Sequence, residues 1–240
     1  RCEAELLILA REACISFGFP KPKILLNNRK ILDGVAEKLG FSEQKDDVFR
    51  ILDKLDKIGE KEVGSLLSMA IGKKAHELLK IIRAKGGNKE KLALASNYSQ
   101  QGAQELEQIL SLCDFEIEVD LFLVRGLGYY SGPVFEVKLS ADMGSVSGGG
   151  RYDHLLGLYG QPSPAVGISF GIERLITLLE EKVRTTKKTN TALVIAVVNP
   201  ELYKASLGIA AQFRNAGVQC ETDLNERNLR KQFDYANALN

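Results

Sequence analysis

The sequence predicts an α+β fold that continues into a small α/β unit, and three stretches carry that prediction. From Ser42 to about Cys113 the pattern is helix after helix, rich in Lys, Glu, Leu and Ala. From Phe115 to about Phe170 strands dominate, with glycines at their turns. From Ala192 onward an apolar run, a helix, a short second strand and a second helix follow in β-α-β-α order, which implies a small parallel sheet.

The chain has 240 residues, 45% hydrophobic and 26% charged, with a net charge of +1. This is ordinary globular composition, sufficient for one large domain or up to two ordinary ones. The near-zero charge excludes a global basic field for nucleic acid and leaves a local patch open. Cys2, Cys14, Cys113 and Cys220 are far apart, form no CxxC pair and have only His76 and His154 for company. Free thiols in a reducing cytosol are therefore expected, with no metal site. No apolar run is long enough to span a bilayer, and Leu6–Ala10 lacks the layout of a signal peptide. The chain begins at Arg1 and ends at Asn240 inside a predicted helix, so both ends are expected to be cuts.

Residues 2–18 read as an amphipathic helix with Leu7, Ala10, Cys14 and Phe17 on one face, ended by Gly18 and Pro20. Lys23–Leu26 reads as a strand bounded by Pro22 and Asn27–Asn28. Arg29–Leu39 reads as a helix closed by Gly40, and Ser42 as the cap of the next. The helical stretch is expected to break at Gly59, Gly72, Gly86–Gly87 and Gly102, with Leu55, Ile58 and Val63 buried. The alternation of FEIEVD, residues 115–120, predicts a half-buried strand. A helix opens after Gly171. Thr185–Asn190 carries no apolar residue and is the linker candidate. Ala192–Val198 suits a strand buried on both faces, and Asn199–Pro200 starts a helix. VQCET is the second strand and Asn225–Asn240 the second helix.

The most informative segment is Leu123–Glu136, LVRGLGYYSGPVFE, which reads as paired strands. On a strand, Arg125 would offer a fixed fork of donors suited to phosphate or carboxylate. A surface arginine pairing with an acid such as Asp120 is the commoner use of a lone arginine. Neighbouring strand residues face opposite ways, so only one of Tyr129 and Tyr130 is expected to face a given cleft. A phenol can serve a polar ring such as imidazole, although from spacing alone Tyr129, Tyr130 and Tyr152 read first as core aromatics. Gly148–Gly150 allows a close backbone approach or, more commonly, a turn, and is not a P-loop. In GISFGIERL, residues 167–175, Glu173 suits a helix N-terminus, while Arg174 suits either a nucleobase or a helix-start ion pair. His154 reads as a polar rim residue and His76 as solvent-facing.

Taken together, LVRGLGYYSGPVFE, GGGRYD at 148–153 and GISFGIERL resemble the two histidine motifs and motif 3 of histidyl-tRNA synthetases, a class II family. NNRKILDG and LDKLDKIG also match family phrases. The resemblance implies an antiparallel-sheet catalytic core over 1–41 and 114–184, with a helical insertion over 42–113. A linker at 185–190 and part of an anticodon-binding α/β domain at 191–240 complete the division. It implies that Arg125 is the catalytic arginine, that Arg125, Gly126, Tyr129, Tyr130 and Tyr152 bind histidine, and that Gly149, Gly171 and Arg174 bind ATP. ATP with Mg2+, tRNA(His), a homodimer of the whole protein and a cytoplasmic location are implied with them. The sequence departs from the family in three ways. Gly128 stands where aspartate is usual, His154 stands where glycine is usual, and motifs 1 and 2 are absent, so the chain alone is expected to be inactive.

Two other readings compete. One is a non-catalytic relative, like the regulatory subunit of ATP phosphoribosyltransferase in histidine biosynthesis. Such relatives tend to lose the pocket residues that remain here, and Gly128 alone favours this reading. The other is a tRNA-binding module, which leaves the pocket residues unexplained. Arg227, Arg230 and Lys231 are candidates for RNA phosphates or for a solvated helix face.

Overall fold

A computed structural model describes residues 1–125, 128–140, 143–182 and 189–239, the side chains of 56, 57, 181 and 182 aside. The chain divides into two compact units, Arg1–Thr177 and Leu178–Asn240.

The first unit is built on a five-stranded sheet in the order β2-β1-β3-β4-β5. Its strands are β1 (Lys23–Asn28), β2 (Glu118–Val119), β3 (Pro133–Lys138), β4 (Ser147–Arg151) and β5 (Val166–Phe170). β2 pairs parallel to β1, and every other pair is antiparallel. Helices α1 (Cys2–Ser16) and α7 (Gln100–Leu112) pack on one face of this sheet. Leu7, Ala10 and Cys14 are buried there, whereas Phe17 is exposed because Ser16 already ends the helix. β1 extends past the expected Leu26 through Asn27 and Asn28, both fully buried. Asn28 then caps α2 (Arg29–Leu39) by accepting from Lys30 N at 3.0 Å, and Gly40 closes it with φ 73°.

Helices α3 (Lys45–Leu52), α4 (Leu55–Ile71), α5 (Lys74–Ile82) and α6 (Asn88–Ser96) complete the helical part. Phe41, Phe49, Leu52, Leu67 and Leu78 fill its core. Arg29 ties α2 to α3 by donating to Asp46 Oδ1 at 2.8 Å, with its guanidinium 4.4 Å from the Phe49 ring centroid. Three expectations are corrected here. Ser42 opens a short 3-10 turn without a side-chain cap. Gly102 lies inside α7, where a side chain would collide with Ile31. Ile58 is exposed next to the kink at Gly59, although Val63 is buried.

α8 (Ile172–Lys182) follows β5. The expected linker at 185–190 lies outside the described residues, except for 189 and 190. In the second unit, β6 (Leu193–Ile195) and β7 (Cys220–Thr222) pair in parallel, crossed over by α9 (Tyr203–Asn215) and followed by α10 (Leu229–Ala238). Asn199 starts the crossover by accepting from Leu202 N at 3.2 Å. β6 is half-exposed rather than buried on both faces, and Val198 is exposed, because its sheet has only two strands among the described residues.

Candidate active site

The geometry of the site follows from the pleat of β4. Side chains alternate between sheet faces, so Gly148 and Gly150 face away from α1 and α7 while Ser147, Gly149 and Arg151 face them. Register puts Glu136 and Val134 of β3, and Ser169 and Gly167 of β5, on the same face as Gly148 and Gly150. Four of these floor positions are small, and the residues above them use the room. A Cβ at Gly148 would lie 2.9 Å from the Arg125 guanidinium, one at Gly150 2.8 Å from the Tyr130 ring, and one at Gly167 2.3 Å from the Tyr152 hydroxyl. Gly149 instead faces the Phe135 ring, and a Cβ there would meet Gly167 O at 2.0 Å. The triple glycine is therefore a strand stripped of side chains for close approach, and not a turn.

Arg125 is not on a strand. Residues 120–125 form an irregular segment, and Arg125 has φ 52°, a left-handed conformation uncommon for a residue with a side chain. Its Nη1 donates to Glu136 Oε1 at 2.7 Å, so the acid partner is Glu136 and not Asp120. Burial disfavours the charged guanidinium, but the Glu136 carboxylate outweighs this and raises its pKa. Gly126, also a histidine-binding candidate, lies outside the described residues.

The tyrosines follow in a loop, so the strand rule that would have separated them does not apply. Tyr129 and Tyr130 lie with ring centroids 4.6 Å apart, and each reaches Tyr152, at 5.8 and 6.5 Å. Tyr130 is buried and Tyr129 exposed. Burial, with help from the Tyr129 hydroxyl, pushes the Tyr130 phenol up to about 12, so at neutral pH it is a hydrogen-bonding group and not an anion. The loop is fastened by residues that sequence reasoning left without a role. Ser131 Oγ donates to Asp153 Oδ2 and accepts from Asp153 N, both at 2.9 Å. Ser131 N donates to Arg151 O at 2.9 Å. The two motifs that these residues belong to were legible in sequence; their mutual clamp was not.

Arg174, in the first turn of α8, is exposed and donates through Nη1 to Ser145 O. Gly171 N donates to Val146 O at 2.7 Å, which sets the start of α8 beside the start of β4. The candidates thus line up along one strand. Arg174 lies by Ser145 before β4 begins, Arg125 at Gly148, Tyr130 at Gly150, and Tyr152 just past its end. The step from Gly148 to Gly150 is about 7 Å of strand. Such a line offers positive charge at one end and hydroxyl-bearing rings at the other.

Elsewhere, His76 and His154 are exposed. Among the described residues no cluster of His, Cys, Asp or Glu could hold a metal ion, and no helix is long and apolar enough to cross a membrane. Of the basic residues near the C-terminus, Arg227 is paired with Asp223 and lies 4.2 Å from the Tyr235 ring centroid, while Arg230 and Lys231 are exposed.

Comparison with known proteins bears on the family and the fold. The sequence profile described as histidyl-tRNA synthetase matches residues 1–175. The chain is 35% identical to a histidine–tRNA ligase of Cytophaga hutchinsonii, covering 98% of this chain and 56% of that protein. It is 38% identical to one of Porphyromonas gingivalis, covering 99% of this chain and 56% of that protein. The crystal structure of histidyl-tRNA synthetase from Nostoc sp. PCC 7120 superposes with a TM-score of 0.74 at 30% identity, over 99% of this chain and 60% of that one. A structure from Bacillus halodurans, titled ATP phosphoribosyltransferase regulatory subunit/histidyl-tRNA synthetase, shares the fold at 17% identity with a TM-score of 0.71. The chain spans little more than half the length of the curated relatives it matches. Its α+β fold is that of class II synthetases, and the chain belongs to the histidyl-tRNA synthetase family.

Proposed function

We propose that the protein carrying this chain is a histidine–tRNA ligase, activating histidine with ATP and passing it to tRNA(His). The observation that carries this reading is the line along β4, two arginines followed by a tyrosine cluster over a glycine floor. A histidine imidazole would lie among Tyr129, Tyr130 and Tyr152, whose hydroxyls can pair with both ring nitrogens. An apolar side chain would leave those hydroxyls unpaired, which is how a polar pocket rejects apolar competitors. The substrate carboxylate would then lie toward Arg125. One carboxylate oxygen attacks the α-phosphorus of ATP, the bond to the β-phosphate oxygen breaks, and pyrophosphate leaves. Arg125 would stabilise the charge that builds on the α-phosphate, with Glu136 holding one edge of the guanidinium. Arg174 and the backbone at Gly149 and Gly171 would serve the nucleotide. A ribose hydroxyl at the tRNA end then attacks the acyl carbon and releases AMP.

Magnesium would enter with ATP, as its phosphate complex. We assign the helical insertion to 42–113, between core segments 1–41 and 114–184, and anticodon contacts to 191–240 beyond a linker at 185–190. A homodimer acting in the cytoplasm completes the proposal. Histidine-dependent exchange of pyrophosphate into ATP by the full-length protein tests it, with this chain alone as the comparison. Exchange with histidine and no other amino acid is expected from the full-length protein, and none from the chain alone. A well-folded full-length protein that exchanges nothing would favour the non-catalytic reading, for which Gly128 is the supporting observation.

A further inference from the structure

We infer that Asn27 is a positioning residue for Arg125: its buried amide fixes the segment that delivers the guanidinium to the cleft, without itself touching substrate. The inference rests on the role proposed above for Arg125. Asn27 lies on β1 opposite Val134, on the sheet face that also carries Glu136. It is fully buried. Its Nδ2 donates to Leu121 O at 3.2 Å and to Leu123 O at 2.9 Å, so both amide hydrogens go to the segment leading into Arg125. That segment is held from its other end as well. Asp120 N donates to Leu26 O at 2.9 Å, and Asp120 takes Phe122 N on Oδ1 and Leu123 N on its backbone oxygen, each at 3.0 Å. Two residues after the last Asn27 contact the chain turns into the left-handed conformation of Arg125, and the guanidinium folds back onto Glu136 and Gly148.

Core packing does not call for an amide here. Leu25, Leu123, Tyr130 and Val134 form an apolar cluster on this face, and Asn27 Oδ1 is buried with no hydrogen-bond partner among the described residues. A buried acceptor left unpaired is unfavourable, and an apolar side chain would avoid it. What the amide supplies is its pair of N–H groups, aimed at two carbonyls that have no other hydrogen-bond donor among the described residues. A left-handed arginine persists only where its surroundings over-determine it, and Asn27 upstream with Glu136 downstream are the two sides of that constraint.

The test uses Asn27→Leu in the full-length protein, read in two ways. Pyrophosphate exchange gives kcat and KM for histidine, and 15N–1H spectra of the arginine Nε groups report Arg125, assigned by its loss in Arg125→Lys. The expected result is a fall in kcat of about tenfold to a hundredfold, the scale of a small misplacement, with KM for histidine nearly unchanged. The Arg125 signal should move while the Arg29 and Arg151 signals stay. A folded variant with unchanged kcat and an unmoved Arg125 signal overturns the inference, as does a general shift of all arginine signals with kcat and KM changing together. If Asn27→Leu does not fold, Asn27→Ser, which keeps one donor, is judged by the same readouts. If the unsubstituted protein exchanges nothing, the proposed function fails, and the Arg125 signal alone decides whether Asn27 sets the arginine.

Discussion

At the scale of single residues the informative position is Gly128, because it separates what the fold requires from what the reaction would. A Cβ at Gly128 would have nothing within 4 Å, in contrast to Gly148–Gly150, where every added atom collides. Gly128→Asp should therefore leave stability within about 0.5 kcal/mol. A carboxylate next to Tyr129 would favour a cationic ligand by roughly the value of an exposed ion pair, so KM for histidine should fall about threefold. Exchange kinetics on the full-length protein check this, and an unchanged KM would mean that residue 128 does not look into the pocket. Most candidate site residues could be picked out from the sequence because glycine, arginine and tyrosine in one short segment have few joint uses. What was not legible was conformation: the left-handed φ of Arg125 and the shared side of Tyr129 and Tyr130 arise from a loop that alternation rules mistook for a strand.

At the scale of elements, the back of the sheet is held by charge. Arg151, at the end of β4, donates from Nε to Glu3 Oε1 of α1 at 2.6 Å and from Nη1 to Glu105 Oε1 of α7 at 3.1 Å. Lys30 Nζ and Asn28 Nδ2 complete the pairing of Glu105, at 2.6 and 2.7 Å. Burial pushes both carboxyls up. For Glu3 its own backbone N–H and Arg151 outweigh this, for Glu105 Lys30, Asn28 and Arg151 do, and both end below the ordinary carboxylate range. Carboxylates lowered in the fold contribute stability that is present above their unfolded pKa of about 4.3 and lost as pH falls through their folded values. Glu3→Gln should accordingly lose about 1.5 to 2 kcal/mol at neutral pH, the scale of a hydrogen bond to a charged group, since Arg151 keeps Glu105, and should flatten the acid limb. Urea denaturation from pH 7 to pH 3 measures both, and an unaltered acid limb would remove Glu3 from this account. None of this was visible in sequence. Glu3, Lys30, Glu105 and Arg151 are each unremarkable charges, and only the packing of α1 and α7 on one face of the sheet brings them together.

At the scale of the whole molecule the two units differ in what holds them. The first has an interior sheet with Ile24, Leu26, Val134, Phe135 and Val137 almost fully buried. Among the described residues the second pairs only β6 with β7, and its buried hydrophobic residues are Ala210 and Cys220, with Leu178 of α8. Amides of β1, β3 and β4 should therefore exchange with solvent last, and those of β6, β7 and α10 early, because local opening is easiest where little apolar surface is buried. Hydrogen exchange of the intact chain by mass spectrometry checks this; equal protection in both units would contradict it. The order of elements in each unit was readable from periodicity, but the depth of burial was not. Ala192–Val198 is as apolar as an interior strand, yet the second unit leaves it half covered. The stripped strand β4 also has a genetic consequence. Every change to either of the first two bases of a glycine codon gives a residue with a side chain or a stop, so three consecutive codons at 148–150 have no mild missense outcome. The gene carries nine adjacent nucleotides in which only the third base of each codon is free to drift.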